Sequence, residues 1–551
     1  MNMKRYTQYM YSYPHKTAYG PLEGVTLNQY LPDLAGPGHD LYLHLPFCET
    51  KCGYCNLFSV TGLGETAIDR YLDTVERQLR QYEPLFASAN SLFTGLTIGG
   101  GTPLLLTEAQ LERCFAMIRR YTRLTRDAEI IIETAPNQTA KPKLALLKDA
   151  GVTRVSMGIQ SFFDEELKVL KRSHRAEKAR ESLNLLMNSG FSRVNADFIY
   201  GVPGQSVSSF LSSVKEAVSF GPDELFLYPL YVKHGAALEQ ELNCGLVLDE
   251  DLAFRQYEAA AEWLASHGYR QDSMRRFVRP ESPGGSREFS DCGFGSTLSL
   301  GCGGRSYLGN LHSCTPYAVT RESCLEQLVQ YEETTDFCAV THGILLSEEE
   351  QKRRFVIRHL LILPGLPLTA YREAFHGDAA ADFPILHEWT EQGFLEEQGD
   401  CLALSGKYSA QVGALVKKCH AAHAPGVVAG LLQPFHDGRP GKSKGAGGRS
   451  LSHTRVYREE ERLPVRDAFG IIRAGQKSGE HGVVGGIGEI AGSLALLPGA
   501  IPVQYRRRTF CFLLRGHIVA QGVEADKKDV MAACDFIHID IRLHGVQRPA
   551  K

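Results

Sequence analysis

The sequence lacks the features that mark a secreted or membrane-spanning protein. Residues 1–17 are polar and rich in tyrosine, and they contain no apolar signal-peptide core. The most apolar stretch, residues 483–503, is interrupted by Glu489 and by several glycines and prolines, so we expect no transmembrane helix. Without a secretory signal, the 14 cysteines are expected to be reduced thiols of a cytoplasmic protein rather than a disulfide scaffold.

The sequence also lacks an excess of charge of either sign. A formal net charge of −3 over 551 residues gives no reason to expect a nucleic-acid partner. Hydrophobic residues make up 43% and charged residues 22%, which are the proportions of an ordinary globular protein. A chain of this length accommodates about two to four domains.

Three closely spaced cysteines, Cys48, Cys52 and Cys55, follow a strand-like alternating run at residues 41–45. Thiolates bind zinc, copper(I) and iron–sulfur clusters, and both closed zinc sites and redox clusters usually take four protein ligands. Three cysteines without an obvious fourth favour a cubane cluster with one iron open to a small molecule. From the residues alone, a zinc knuckle completed by His44 or by a distant cysteine is the alternative.

Strand-like and helix-like segments alternate from residue 39 to about residue 232, which predicts a parallel α/β sheet. The unusual residues of this region fall at the carboxyl ends of the predicted strands, where α/β barrels place their chemistry. The predicted strands are residues 41–45, 95–98, 130–133, 154–158, 193–199 and 224–230, and the helices between them include residues 67–86, 108–121, 141–150 and 176–189.

Four of these strand ends carry further candidate binding residues. The segment GGGTP at residues 99–103 lets backbone groups approach a ligand closely. Glu133 and Asp197 offer carboxylates to ribose hydroxyls or an ammonium group, and Gln160 offers both a donor and an acceptor. Arg172, in the segment LKRSH, has a planar guanidinium that fits a carboxylate, although the residue taken by itself favours a surface ion pair.

These segments, with YLHLPFCETKCGYC at residues 42–55 and NADFIYGVPGQ at residues 195–205, resemble the motifs of the radical S-adenosylmethionine (SAM) superfamily. Within it they are most similar to oxygen-independent coproporphyrinogen III oxidases and haem chaperones. The resemblance implies a partial (βα)6 barrel with a 4Fe–4S cluster on Cys48, Cys52 and Cys55. It implies SAM contacts at Tyr42, Tyr54, Gly100, Gly101, Thr102, Glu133, Gln160, Arg172 and Asp197.

The resemblance also implies an activity. One-electron reduction, from a donor such as flavodoxin or ferredoxin, would cleave S-adenosyl-L-methionine to methionine and a 5′-deoxyadenosyl radical. That radical would abstract hydrogen from a small-molecule substrate, for instance a tetrapyrrole of porphyrin biosynthesis. No nucleic-acid or membrane partner is expected, and no catalytic side chain is identified.

Two departures from this branch leave the activity open. The oxidases carry a further cysteine two residues past the third ligand, where this chain has Leu57. The chaperones carry a haem motif similar to HNxxYW, where residues 286–291 read SREFSD. Three hypotheses therefore stand, namely a radical SAM oxidoreductase, a haem-binding carrier and a zinc-stabilised regulatory protein.

The predicted organisation has five parts. Cys292, Cys302 and Cys314 are too widely and irregularly spaced to favour a second cluster. The tail has 20 Lys and Arg against 12 Asp and Glu and no recognised motif; an extension, a disordered appendage and an out-of-frame read-through are all open. The parts are residues 1–38, an N-terminal extension; 39–232, the barrel core; 233–340, a core extension; 341–417, a helical cap resembling the family's winged-helix-like module; and 418–551, the basic tail.

Overall fold

A computed structural model describes residues 13–232, 235–281 and 295–405, and the backbone of three short strands nearer the C-terminus. Its main feature is one large mixed sheet. In chain order, the strands up to residue 345 are β1 (Gly20–Pro21), β2 (Pro37–Leu45), β3 (Phe47–Cys48), β4 (Val60–Thr61), β5 (Leu92–Gly100), β6 (Leu124–Thr134), β7 (Arg154–Gln160), β8 (Arg193–Tyr200), β9 (Glu224–Pro229), β10 (Arg270–Gln271), β11 (Arg276–Val278), β12 (Thr297–Leu300), β13 (Arg305–Leu308), β14 (Leu311–Cys314) and β15 (His342–Leu345).

The centre of this sheet is a run of six parallel strands in the order β2, β5, β6, β7, β8, β9. They are the six strands predicted from the sequence. Beyond β2 the sheet continues through parallel β12 and antiparallel β13, β14, β15 and β1. Beyond β9 it continues through antiparallel β11 and β10. The α/β class and the partial (βα)6 barrel are therefore confirmed.

Amphipathic helices connect the parallel strands, and capping residues mark where several of them begin. The Thr107 hydroxyl accepts a hydrogen bond from the Gln110 backbone N–H, and the Gln110 side-chain oxygen accepts one from the Thr107 backbone N–H. The Asp249 carboxylate accepts from the Leu252 N–H. The helices of this region are α1 (Glu65–Ala89), α2 (Glu108–Tyr121), α3 (Lys141–Asp149), α4 (Asp164–Val169), α5 (Ala176–Met187), α6 (Val207–Phe220), α7 (Ala237–Asn243), α8 (Glu250–Ser266) and α9 (Arg321–Glu333).

The alternation of side chains along β2 separates the hydrophobic core from the barrel interior. Leu41, Leu43 and Leu45 are fully buried in the main hydrophobic cluster, together with apolar residues of α1 and α2. Tyr42 and His44 are the alternate residues and line a cavity on the other face. Residues two apart on these strands therefore share a face, which lets the strand ends build one polar site.

A buried ion-pair network lies at the amino ends of β7, β8 and β9, opposite the strand ends that carry the motifs. Glu224 is fully buried, and its carboxylate lies 2.6 Å from Arg154, 2.6 Å from Arg276 and 3.2 Å from Arg193. We call Glu224, Arg154, Arg193 and Arg276 the charged floor. Burial alone would raise the pKa of Glu224, but the charges of Arg154 and Arg276 outweigh that effect and lower it.

A smaller module follows the main sheet and has its own hydrophobic core, in which Trp389 and Tyr371 are buried. Strand β16 lies between α10 and α11 and pairs with β18, which pairs with β17, in a small antiparallel sheet. Helices and this sheet form a small module after the main sheet, and its likeness to a winged helix stays a prediction. Its elements are α10 (Glu348–Leu360), β16 (Leu366–Pro367), α11 (Leu368–Phe375), α12 (Ala379–Asp382), α13 (Ile385–Glu391), β17 (Leu395–Gln398) and β18 (Cys401–Leu404).

The chain divides into two units between Lys442 and Ser443. In the second unit β19 (Ala500–Gln504), β20 (Phe510–Leu514) and β21 (His517–Gln521) form an antiparallel sheet. Sequence predictions for residues 286–291, for Cys292 and for most of the tail lie outside the described residues. Among the helices that are described, none has the length and apolar character needed to cross a membrane.

Candidate functional site

The three cysteines lie in a loop that leaves the carboxyl end of β2. Cys48 ends β3, and the carbonyl of Cys52 accepts a hydrogen bond from the N–H of Cys55 at 3.2 Å. Burial raises the pKa of Cys48 to about 11, and the nearby thiol of Cys55 adds to this effect. Burial and the neighbouring thiol of Cys52 also raise the pKa of Cys55. Since thiolates bind metals, cluster assembly has to displace these protons.

The fit of these thiols to a cluster rests on ligand type and on their spacing in the sequence. Within the part of the chain that the structure describes, no three His, Cys, Asp or Glu side chains are gathered into a preformed metal site. The cysteine loop is anchored where it turns, because the Gly53 N–H donates to the Leu170 carbonyl at 3.0 Å and the Leu238 N–H donates to the Gly53 carbonyl at 2.8 Å.

The glycine-rich turn after β5 packs its backbone directly against the cysteine loop. The N–H groups of Gly101 and Thr102 donate to the carbonyls of Leu45 and Phe47, each at 2.8 Å. The Thr102 hydroxyl lies 3.8 Å from the sulfur of Cys48. A Cβ atom on Gly101 would lie 2.5 Å from the Phe47 carbonyl oxygen, so this close approach requires glycine.

Two half-buried carboxylates lie near that turn. Glu133 accepts a hydrogen bond from the Gly100 N–H at 3.1 Å, and Asp197 accepts one from the Asn195 amide at 2.7 Å. Burial raises the pKa of Glu133 to about 7, and the charge of Asp197 adds to the shift. Burial likewise raises the pKa of Asp197 to about 6. The two groups therefore influence each other across the ends of β6 and β8.

Arg172 connects the cysteine loop to the end of β7. Its guanidinium donates to the sulfur of Cys52 at 3.0 Å and to the carbonyl of Gly158 at 2.7 Å. Tyr54 lies against the same thiol and guanidinium, and burial followed by the charge of Cys52 raises its pKa. The surface ion pair that could have explained Arg172 is not observed, because its described partners are a thiol and a backbone carbonyl.

Three buried polar atoms at these strand ends have no hydrogen-bond partner. They are Oε1 of Gln160, Nε of Arg172 and Oδ1 of Asn195. Gln160 also has a φ of 73°, which is unusual for a residue with a side chain. Gln160 and Arg172 lie together beside Gly158, whereas Asn195 lies further back along β8. Buried polar atoms are rarely left unsatisfied, so this acceptor and donor beside Gly158 indicate a ligand with complementary groups. SAM carries amino and hydroxyl donors and a carboxylate acceptor, so the residues present fit it.

Tyr42 and His44 lie on the opposite side of the cysteine loop. The Tyr42 hydroxyl is 3.3 Å from Nδ1 of His44, whose Nε2–H donates to the Phe58 carbonyl at 2.9 Å. Burial lowers the pKa of His44 to about 4, which keeps the ring neutral. Because both ring nitrogens are engaged within the fold, His44 supports the loop and is a poor candidate for a fourth metal ligand.

One residue of this site was not singled out from the sequence. The Asn195 amide donates to the Ser156 hydroxyl at 2.6 Å and to the Asp197 carboxylate at 2.7 Å, and so links β7 to β8. The available signal was its spacing, since Asn195 lies two residues before Asp197 and therefore on the same face of the strand.

Comparisons with known proteins agree with this geometry. Residues 42–217 match the family profile described as the Radical SAM superfamily. Heme chaperone HemW of Mycobacterium tuberculosis is 30% identical over 392 residues, which cover 68% of this chain and 94% of the relative. The oxygen-independent coproporphyrinogen III oxidase of Escherichia coli is 30% identical over 394 residues, which cover 67% of this chain and 82% of the relative.

A solved structure shows the same fold. Coproporphyrinogen III oxidase (HemN) from Escherichia coli, described as a radical SAM enzyme, matches with a TM-score of 0.65 at 24% identity. The match covers 75% of this chain and 96% of that chain. Fold and strand-end site together define a radical SAM protein. Within the superfamily, the chain belongs to the branch of HemW-type heme chaperones and oxygen-independent coproporphyrinogen III oxidases.

Proposed function

We propose that Cys48, Cys52 and Cys55 hold a 4Fe–4S cluster and that the protein is a radical SAM oxidoreductase acting on a tetrapyrrole-related small molecule. The observation that carries the proposal is the pair of unpartnered buried atoms Oε1 of Gln160 and Nε of Arg172, since Arg172 also donates to the sulfur of Cys52 at 3.0 Å. When bound on these three thiolates, the cluster would supply the one-electron chemistry that cleaves SAM reductively. The electron comes from a donor such as flavodoxin or ferredoxin.

The chain's own residues bind and orient SAM. Arg172 retains one unpartnered N–H, which suits the methionine carboxylate of SAM. Glu133 has the charge and burial to hold the amino group, with the backbone of the glycine-rich turn beside it. Asp197 and Asn195 offer acceptors to the ribose hydroxyls, and Gln160 offers an acceptor at the end of β7. Burial of these groups excludes water from the bound cofactor.

The direct test is anaerobic turnover of the reconstituted protein with SAM and a chemical reductant. We expect 5′-deoxyadenosine to accumulate, and to accumulate faster when coproporphyrinogen III is added. A protein that is loaded with iron and reduced, yet leaves SAM intact and does not bind it, would overturn the proposal. SAM cleavage that is indifferent to coproporphyrinogen III would keep the radical chemistry and reject the tetrapyrrole.

The affinity for SAM should depend on pH through Glu133. Burial raises the pKa of this carboxyl to about 7, so the group takes up a proton as the pH falls below that value. It then loses the negative charge that attracts the amino group of SAM. From about pH 8 to about pH 6 we expect SAM binding to weaken by about tenfold, as measured by equilibrium dialysis of the reconstituted protein.

Two variants test whether the carboxylate of Glu133 causes this pH dependence. Glu133→Gln should bind SAM weakly at every pH and show no such slope. Glu129→Gln, four residues earlier on the same strand, should keep the slope, because Glu129 pairs with Arg193 at 2.9 Å away from the strand ends. A slope that survives in Glu133→Gln would assign the effect to another group.

A haem-binding carrier is the second candidate. Leu57 is 43% exposed and lies where the oxidases have a further cysteine, and HemW relatives are named heme chaperones. Titration of the protein with haem distinguishes the two candidates. A saturable shift of the Soret band, without faster SAM cleavage on adding coproporphyrinogen III, would favour the carrier. Absence of a Soret shift would exclude it.

A further inference from the structure

Strand β7 ends in an irregular stretch of backbone that carries Gln160. The pairing of β7 with β8 shifts between Gly158 and Gln160, and Gln160 has a φ of 73°. A Cβ atom on Gly158 would lie 2.9 Å from Nε2 of Gln160, so the amide is folded back over Gly158. A bulge of this kind redirects a side chain, and a residue with a side chain keeps a left-handed conformation only where its surroundings hold it there. Gln160 therefore needs contacts that fix residues 159–161 in place.

The carboxylate of Glu166 fixes the residue that follows Gln160. It accepts hydrogen bonds from the Ser161 hydroxyl at 2.6 Å, the Gln205 amide at 2.8 Å and the Ser209 hydroxyl at 2.7 Å. Both Glu166 and Ser161 are buried, which strengthens the hydrogen bond between them. Ser161 directly follows β7, Gln205 lies in the turn after β8, and Ser209 belongs to α6. One carboxylate thus joins the ends of two parallel strands, one of which carries Gln160.

His174 fixes the same bulge from the segment after α4. Its ring Nε2–H donates to the Ile159 carbonyl at 3.1 Å, and the ring is buried. Burial, followed by the charge of Arg172, lowers the pKa of His174 to about 4, so the ring is neutral near pH 7. His174 lies two residues past Arg172. One short segment therefore supplies both the guanidinium that contacts the Gly158 carbonyl and the ring that holds Ile159.

We propose that Glu166 is a positioning residue for SAM, which acts through Ser161 to hold the Gln160 amide toward the cofactor. Three donors from separate segments meet on this one buried acceptor, close to the residue with the unusual backbone conformation. Without the carboxylate, the bulge loses a contact that opposes its relaxation, and Oε1 of Gln160 is no longer held for a donor group of SAM. The inference rests on the proposed function, in which Gln160 offers that acceptor.

The test is the affinity of the reconstituted, unreduced full-length protein for SAM, measured by equilibrium dialysis. Glu166→Ala removes the acceptor and should weaken SAM binding by about tenfold, which corresponds to the loss of one hydrogen bond to SAM. Glu166→Gln should recover most of the affinity, because its amide oxygen can accept from Ser161 and Gln205. Its NH2 group can donate to the Ser209 hydroxyl, which then donates to the Ser206 carbonyl at 3.1 Å.

Two further comparisons separate positioning from general support of the fold. Glu165→Ala is the matched control and should bind SAM like the wild type, because Glu165 is the neighbouring carboxylate of α4 and is exposed. Gln160→Ala supplies a double-variant cycle. If Glu166 acts through Gln160, Glu166→Ala should weaken SAM binding no further once residue 160 is alanine. Ser161→Ala removes only the hydroxyl link and should also weaken SAM binding, so it takes the place of Glu166→Ala if circular dichroism shows that variant to be unfolded.

Each outcome decides the proposal. Weaker SAM binding in Glu166→Ala, its recovery in Glu166→Gln and the absence of a further loss in the double variant support the positioning role. Additive losses in the double variant would overturn it and leave Glu166 as a support of the fold. Wild-type affinity in Glu166→Ala, or a loss that Glu166→Gln does not restore, would overturn it too, and SAM cleavage by the wild type would still uphold the proposed function. A wild type that does not bind SAM would overturn the proposed function and this inference with it.

Discussion

Replacing Cys48, Cys52 or Cys55 by serine is expected to leave a folded protein that holds no cluster. Hydroxyl oxygen is a harder ligand than thiolate sulfur and binds cluster iron less well. A site with only three cysteines needs all three of them to hold the cluster. Bound iron should fall from about four atoms per chain to near zero after anaerobic reconstitution. Formation of 5′-deoxyadenosine should fall to the level of the reductant alone. Iron and sulfide analysis, with the visible spectrum, measures the first effect.

A matched control separates this effect from the general loss of a thiol. Cys244 is exposed and caps the end of α7, so Cys244→Ser should keep the full complement of iron and its activity. Circular dichroism should show that all four variants fold. Iron retained by any variant of the three loop cysteines would contradict the assignment. Tightly bound zinc in the wild type, without iron, would support the regulatory alternative.

The sequence was sufficient to predict the barrel and the convergence of several motif residues at one edge of its sheet. Parallel strands put their carboxyl ends at one edge, so motifs separated by many residues were expected to converge. The observed contacts of Gly100 with Glu133 and of Cys52 with Arg172 are of this kind. Which of these residues contact SAM stays a prediction, because ligand geometry depends on side-chain positions that a strand pattern does not determine.

The extension of the sheet beyond β2 could not be predicted. Strands β12, β13 and β14 have four residues each, and glycines lie between β12 and β13. Runs this short carry too little periodicity to distinguish a strand from a turn. Their position depends on long-range pairing, such as that of Thr297–Leu300 with residues 40–43 of β2. The burial of Lys16 could not be predicted for the same reason, because a polar N-terminal segment contains no local pattern that indicates burial.

The charged floor could not be predicted from the sequence, because charged residues are generally expected to be exposed to solvent. Glu224, Arg154 and Arg193 each stand at the first position of a predicted strand, where a charge is normally solvated. Only the assembled sheet brings them together, because β7, β8 and β9 are adjacent and in register. The amino ends of these strands therefore combine buried ion pairs with apolar packing, since Val155, Val194 and Leu225 next to them are buried in the main core.

Removing the carboxylate of the charged floor should destabilise the protein strongly. In Glu224→Gln three arginines lose the carboxylate they share, and although Arg193 keeps Glu129 and Arg276 keeps Asp272, the buried positive charge is no longer fully offset. We expect the free energy of unfolding to fall by about 3–5 kcal/mol, from a total that is typically about 5–15 kcal/mol for a domain. Urea denaturation of the full-length protein, followed by circular dichroism, measures this loss.

Glu216→Gln supplies the comparison. Glu216 also pairs with an arginine, Arg180, but the two side chains are 34% and 40% exposed, so the loss should stay below about 1 kcal/mol. Because the pKa of Glu224 is lowered in the fold, its contribution is present above the carboxyl's unfolded pKa and disappears as the pH falls. The difference in stability between wild type and Glu224→Gln should therefore shrink in acid. Equal losses of stability in Glu224→Gln and Glu216→Gln would show that burial does not determine how much the charged floor contributes to the free energy of unfolding.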